Sequence, residues 1–226
     1  LDEDDLAIFK DEIKEENELQ CGLVEILGLL FKTHKLHCRP LVDKVLTEII
    51  PKLSGTQDKA KQKFLLYILD DMIEYLGPEF LGEQIFHQIV GEVCKFAALP
   101  AAAIRQAACY GIGMAAQNGG AGFAGVSQLC LTSLSTAINY QADSKVKEKK
   151  QKMFKFQHAR DNAVAAFGRV LRYQNTCIDA ANLIADWVNF LPLEKDYIEA
   201  KFCNEFLAEE TMKNSALILG PNNERL

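Results

Sequence analysis

Four sets of residues have types and spacings that could do chemistry. Asp70 and Asp71 interrupt the apolar stretch LLYILDDMIEYL, and paired carboxylates can trade protons when their surroundings push their pKa values apart. His34, His37 and Cys38 stand at i, i+3 and i+4, which would put three metal ligands on one helix face. Gly120, Gly122 and Gly125 match GxGxxG, a spacing that cradles a pyrophosphate when it lies between a strand and a helix. Lysines 145, 147, 149, 150, 152 and 155 form a basic cluster of the kind that meets phosphates or an acidic partner.

Each set has a plainer reading. Zinc wants a fourth ligand or a water, none is supplied nearby, and THKLHCRP reads as a loop between helices, so no metal site is expected. The glycine motif follows a helix rather than a strand and no P-loop lysine comes after it, so it reads as a turn between paired helices. No cleft or partner base is implied for Asp70 and Asp71, which read as a polar helix edge or an inter-repeat hydrogen bond. Asp143 and Glu148 dilute the lysines, and few aromatics alternate with them, as in a solvated connector. Four histidines, none in a recognisable nucleophile motif, supply no catalytic residue. The chain is expected to be non-enzymatic and to need no cofactor.

These residues must be carried by elements, and composition bounds what the elements are. The 226 residues are 49% hydrophobic and 25% charged, enough for a packed core. Glu25 interrupts the run from Cys21 to Phe31, and no uncharged apolar run is expected to reach a membrane span's ~20 residues. The net charge of −6 is uneven. Residues 1–18 hold nine acids and two bases, which leaves 22 acids and 23 bases in a balanced body that gives no case for direct nucleic-acid binding. Seven cysteines without a CxxC pair read as buried thiols of a reducing, intracellular compartment. The first residue is not Met, which suggests a fragment or a processed chain.

The strongest signal is a repeat. Apolar pairs recur every four residues at Leu41/Val42, Val45/Leu46, Ile49/Ile50 and Leu53, which makes one broad helical stripe. The pattern returns from Ile85, from Val126 and after Asp179, at steps of 44, 41 and 53 residues. A second set of helices precedes these, over residues 12–33, 59–76, 101–118, 150–174 and 195–213. Aligning Gly28, Asp71, Gly113 and Gly168 within that set gives steps of 43, 42 and 55. Helix pairs at ~40–47 residues per unit mark HEAT-type repeats, in which stacked neighbours cover stripes that one unit cannot bury alone.

The expected fold is therefore all-α, an α-α superhelix (HEAT-repeat solenoid) of about four and a half repeats of antiparallel helix pairs. It forms a single array over 1–226, with repeats at 11–55, 58–98, 100–140, 149–192 and an incomplete 194–226. Gly28, Gly111, Gly113 and Gly168 sit mid-helix, where they either admit a neighbouring backbone or merely loosen the helix. Pro78 and Pro100 open helices and Pro192 closes one, while Pro51 marks a last turn or a kink. The long third step has its cause in 141–155, an exposed connector or an extra helical turn. Trp187, in the fourth stripe, reads as core.

Two surfaces follow from this arrangement. Stacked second helices would align Asp43, Glu48, Glu83, Glu92, Asp179 and Asp186 in an acidic row, which either attracts a basic peptide or is merely a soluble face. The last first-type helix, ending near Lys213, would leave Phe202, Phe206 and Leu207 uncovered, so self-association of the fragment is expected.

Five stretches carry a family resemblance. They are Ile104-Arg105-Gln106-Ala107-Ala108-Cys109-Tyr110-Gly111-Ile112-Gly113-Met114-Ala115-Ala116-Gln117, Asp70-Asp71-Met72-Ile73-Glu74-Tyr75, Asp161-Asn162-Ala163-Val164-Ala165-Ala166-Phe167-Gly168, Trp187-Val188-Asn189-Phe190-Leu191-Pro192-Leu193 and Leu219-Gly220-Pro221-Asn222-Asn223. In that order they resemble the C-terminal part of the karyopherin-β (importin-β) family, closest to its importin-5 and importin-4 branch. The resemblance implies a nuclear import receptor that shuttles between cytoplasm and nucleus. It implies protein cargo with a basic import signal, and Ran-GTP and Phe-Gly nucleoporins as partners of the full-length receptor. The resemblance implies that the family's main Ran-binding region, which is N-terminal, lies outside this segment. The alternative is a HEAT scaffold or regulatory subunit of another complex.

Overall fold

The computed structural model describes residues 3–142 and 149–220, and no strand occurs among them. Five long helices form one layer: α1 (Glu3–His34), α4 (Lys59–Tyr75), α7 (Ala102–Asn118), α9 (Lys150–Tyr173) and α11 (Tyr197–Leu219). Each packs on the next in chain order, α1 on α4, α4 on α7, α7 on α9 and α9 on α11. Between them run the partners: α2 (Arg39–Lys44) with α3 (Ile50–Leu53), α5 (Gly77–Leu81) with α6 (Glu83–Phe96), α8 (Ser127–Ile138), and α10 (Ala180–Val188). α6 packs against α4, α7 and α8, and α10 against α9 and α11. This is a HEAT-repeat helical solenoid.

Local sequence explains the element ends. Asp58 caps α4 by accepting from the Ala60 and Lys61 amides, and Asp196 caps α11 by accepting from those of Ile198 and Glu199. Pro51 lacks an amide hydrogen, and the chain meets it with a π-helical turn over Val45–Ile49 before α3 resumes. Pro51 therefore marks a change of helix type. Residues from Lys150 onward in the polar connector are already the first turns of α9. α11 runs to Leu219, past the expected stop at Lys213.

The mid-helix glycines are sites of close approach. A Cβ on Gly113 would stand 3.3 Å from Ala166 Cα, and one on Gly168 3.0 Å from the Trp187 ring. Ala166 of α9 thus meets α7 at Gly113, and the small residues Ala115, Ala116 and Ala163 are buried as well. Trp187 is core: fully buried, it donates its indole N–H to the Val164 carbonyl at 3.0 Å.

Two expectations are corrected. Phe206 is buried under Trp187 at 5.1 Å between ring centroids, and Phe202 stacks on it, so the final helix is not left bare by these residues. The large exposed apolar stripe lies on α1 instead, with Ile8, Phe9, Ile13, Leu19, Leu23, Ile26 and Leu29. Gly120–Ile138 is in fact long and apolar enough to cross a membrane by length and composition. In the fold it is a 3-10 turn, Gly120–Val126, followed by α8 packed on α9 and α6.

Candidate functional site

The first-helix layer carries a groove of about 600 Å³ between α1, α4 and α7. That volume falls within the range of ligand-binding clefts. α4 builds its floor. The helix buries Leu65, Leu66, Ile68, Leu69, Met72 and Ile73, which turns Asp70 and Asp71 toward its two neighbours. The Asp71 carboxylate fills the place of a side chain at Gly28 of α1, and the Asp70 carboxylate does the same at Gly111 of α7. Two adjacent acids thus wedge against glycines on opposite sides.

Tyr67, Tyr75 and Tyr110 line the groove together with Lys32 and Lys63. Lys32 lies over the Tyr75 ring at 5.6 Å and Lys63 over Tyr67 at 5.2 Å, so both ammonium groups are held by aromatic faces. Tyr110 donates its hydroxyl to Glu74 at 2.7 Å, and Asn118 donates to the Glu74 carbonyl at 3.0 Å, tying α7 to α4.

The electrostatics are uncommon for carboxylates. Asp70 is 4% exposed, and its Oδ1 has no hydrogen-bond partner. Burial, then the Asp71 and Glu74 charges, hold its carboxyl well above the usual range. Burial and Glu74 raise Asp71 to about 7. Burial and Glu74 also push the Tyr75 hydroxyl up to about 12 and raise that of Tyr110. The expectation that Asp70 and Asp71 face no cleft is corrected: both line this one. Among the described residues neither makes an inter-repeat hydrogen bond; their contact at the joints is steric.

The other candidates are placed as follows. Cys38 donates to the Leu30 carbonyl, and His34 pairs with the Thr33 hydroxyl. Among the described residues, no group of three His, Cys, Asp or Glu is arranged to hold a metal. The glycine motif is a 3-10 turn, whose Gly122 carbonyl meets the His87 imidazole at 2.6 Å. Lysines 145 and 147 lie outside the described residues, as do Asp143, Glu148 and the Pro221-Asn222-Asn223 stretch; lysines 149, 150, 152 and 155 are exposed.

The six acids of the expected row sit on or beside the second helices, and no hydrogen bond or ion pair joins any two of them. Asp43 pairs with Arg39 at 3.1 Å, Glu83 faces His87 at 3.8 Å, and Glu92 pairs with Lys95. Asp179 caps α10 through Asn182. Glu48 and Asp186 are exposed and have no side-chain partner among the described residues.

Several polar residues that hold the repeats together escaped the sequence reading. Asp161 accepts from three successive amides, Glu194, Lys195 and Asp196, at 2.6–3.0 Å. Asn162 donates to Asp196 at 2.7 Å, and Gln174 to the Ala116 carbonyl at 2.6 Å. Arg105, 1% exposed, donates to the Leu99 carbonyl and lies 4.1 Å from the Tyr140 ring centroid. Arg169 pairs with Glu199 across α9 and α11, over Phe202. The available signal was polar residues at positions where the repeat predicts an apolar face.

Stacked helix pairs joined by buried polar residues define a helical solenoid. No family model matches the chain. It is 28% identical over 161 residues to importin subunit beta-3 of Saccharomyces cerevisiae, covering 71% of this chain and 14% of that protein. It is 27% identical over 179 residues to a probable importin-5 homolog of Dictyostelium discoideum, covering 77% and 16%. The chain thus spans about one seventh of the length of these curated relatives. A crystal structure of a Kap121p mutant superposes with a TM-score of 0.66 at 23% identity, over all of this chain and 22% of that one. Kap121p bound to the SUMO protease Ulp1p superposes at 0.63 and 22% identity, over 92% and 20%. The solved structures share the fold. In sequence the chain is similar to karyopherin-β (importin-β) proteins, importin-5-like relatives among them.

Proposed function

We propose that the chain is a non-catalytic segment of a nuclear import receptor. In this reading it presents its second-helix face to protein cargo with a basic import signal, and acts with Ran-GTP and Phe-Gly nucleoporins through the full-length receptor. That receptor shuttles between cytoplasm and nucleus. The observation that carries the reading is the 161-residue kinship with importin subunit beta-3, laid on a solenoid whose helices stack in chain order.

The mechanism is binding energy spread along an array. Each pair of units shares one interface, so small changes at several interfaces sum to a change of curvature that one ligand can use to alter the fit of another. The acidic row supplies long-range attraction for a basic peptide. Glu48 and Asp186 contribute most, because the carboxylates of Asp43, Glu83, Glu92 and Asp179 already face local partners. Kap121p bound to Ulp1p is a precedent for a protein partner on a scaffold of this fold.

The test is capture of the full-length parent protein on immobilised Phe-Gly peptide and on Ran-GTP, with Ran-GDP as control. Retention on Phe-Gly peptide and on Ran-GTP over Ran-GDP supports the transport reading. Retention on neither points to a HEAT scaffold serving a fixed complex.

A further inference from the structure

Cys94 of α6 and Cys130 of α8 lie 36 residues apart in sequence, and their sulfurs are 3.9 Å apart in the fold. They come from the second helices of consecutive pairs, which pack directly on each other. Both are free thiols. Both are buried, but Cys94, at 4% exposure, forms part of the wall of an open groove of about 550 Å³, beside His87, Glu92, Leu129 and Ser133. Cys130 is fully buried behind it.

We infer that Cys94 and Cys130 form a peroxide-responsive dithiol, a modification site at which oxidation joins the second helices of two neighbouring units. Their positions divide the roles. Cys94 is the thiol a small oxidant reaches, and Cys130 is the resolving thiol held within van der Waals range. With Cys130 as the donor across the sulfur contact, that contact lowers the Cys94 pKa against the opposing effect of burial.

The chemistry balances with hydrogen peroxide as oxidant. The Cys94 thiolate attacks one peroxide oxygen; an S–O bond forms, the O–O bond breaks, and the departing hydroxide takes up a proton as water. Cys130 then attacks the sulfenic sulfur. The S–S bond forms, the S–O bond breaks, and hydroxide leaves with the Cys130 proton as a second water. Two thiols and one peroxide become one disulfide and two waters. The sulfurs must close to about 2.05 Å, so α6 and α8 must shift or the side chains rotate. The bond would fix an inter-unit angle that solenoid flexing otherwise varies.

The full chain is treated with graded hydrogen peroxide, its remaining thiols are alkylated in denaturant, and its peptides are analysed by mass spectrometry without reduction. The expected product is a Cys94–Cys130 linked peptide lacking two hydrogens and reversed by dithiothreitol. In Cys130→Ser the reaction should stop at sulfenic acid. Dimedone should then label Cys94 about tenfold more than Cys109 or Cys203, buried thiols with pKa near 12. If Cys94 and Cys130 both stay alkylatable while exposed Cys21 oxidises, the inference fails. It fails equally if a folded Cys130→Ser labels at Cys94 no more than at Cys109. The unsubstituted chain decides the matter by itself should that variant not fold.

Discussion

The carboxylate of Asp70 on α4 lies against Gly111 of α7, in the space that a methyl group on that glycine would need. One residue later, Asp71 does the same at Gly28 of α1. The two contacts set how closely three successive helices approach, and they place both acids in the groove.

The two glycines should respond differently to alanine. Asp70 is buried and has little room to retreat, so Gly111→Ala should destabilise by about 1–2 kcal/mol, as overpacking exceeds the ~1 kcal/mol gained in helix propensity. Asp71 is only half-buried and can swing away, so Gly28→Ala should be close to neutral. Urea denaturation of the two variants side by side measures the contrast.

Asp71 gives a pH dependence with a definite sign. Its folded-state pKa of about 7 lies above the ~3.9 of an unfolded aspartate, so between these values the folded state holds the proton and the unfolded state does not. Stability should fall as pH rises from about 4 to about 7, and Asp70 acts in the same direction. Discounted for the solvent that reaches Asp71, the effect is about 1–2 kcal/mol. Asp71→Asn should flatten the profile and raise stability at pH 8, as read from denaturation midpoints at pH 5 and pH 8. A steeper profile in Asp71→Asn would contradict the assignment.

Much of the fold was legible because burial imposes a period. The stripe at Leu41, Val45, Ile49 and Leu53 and its later copies located the second helices, and the spacing of Gly28, Asp71, Gly113 and Gly168 located the first. The groove was not legible, because Asp70 and Asp71 acquire their setting from Gly28 and Gly111, some 40 residues away on either side. Asp161 and Gln174 escaped for the same reason: their partners are backbone groups, which no residue pattern reveals. Phe206 was misjudged because the sequence did not show that Trp187 folds back over it.

Asp161 offers a direct probe of the buried polar joints. Asp161→Ala strands three amides at the entry to α11 and should cost about 2–4 kcal/mol. Asp161→Asn keeps an acceptor oxygen and should cost less. Thermal denaturation followed by circular dichroism ranks the two variants, and equal losses would show that the loss of charge, not of the acceptor, matters.

Charge reversal separates the six acids. Glu48→Lys and Asp186→Lys should each weaken binding of a basic import-signal peptide to the full-length receptor about fivefold at low salt, and less as salt screens the field. Asp179→Ala should instead destabilise α10 by about 1 kcal/mol through loss of its cap. Fluorescence anisotropy with a labelled peptide reads the first effect and thermal melting the second.

Release of cargo is the decisive measurement. The full-length parent is loaded with a protein bearing a basic import signal, and Ran-GTP or Ran-GDP is added. The transport account predicts that Ran-GTP displaces the cargo while Ran-GDP leaves it bound. Cargo that stays bound in the presence of saturating Ran-GTP would contradict it.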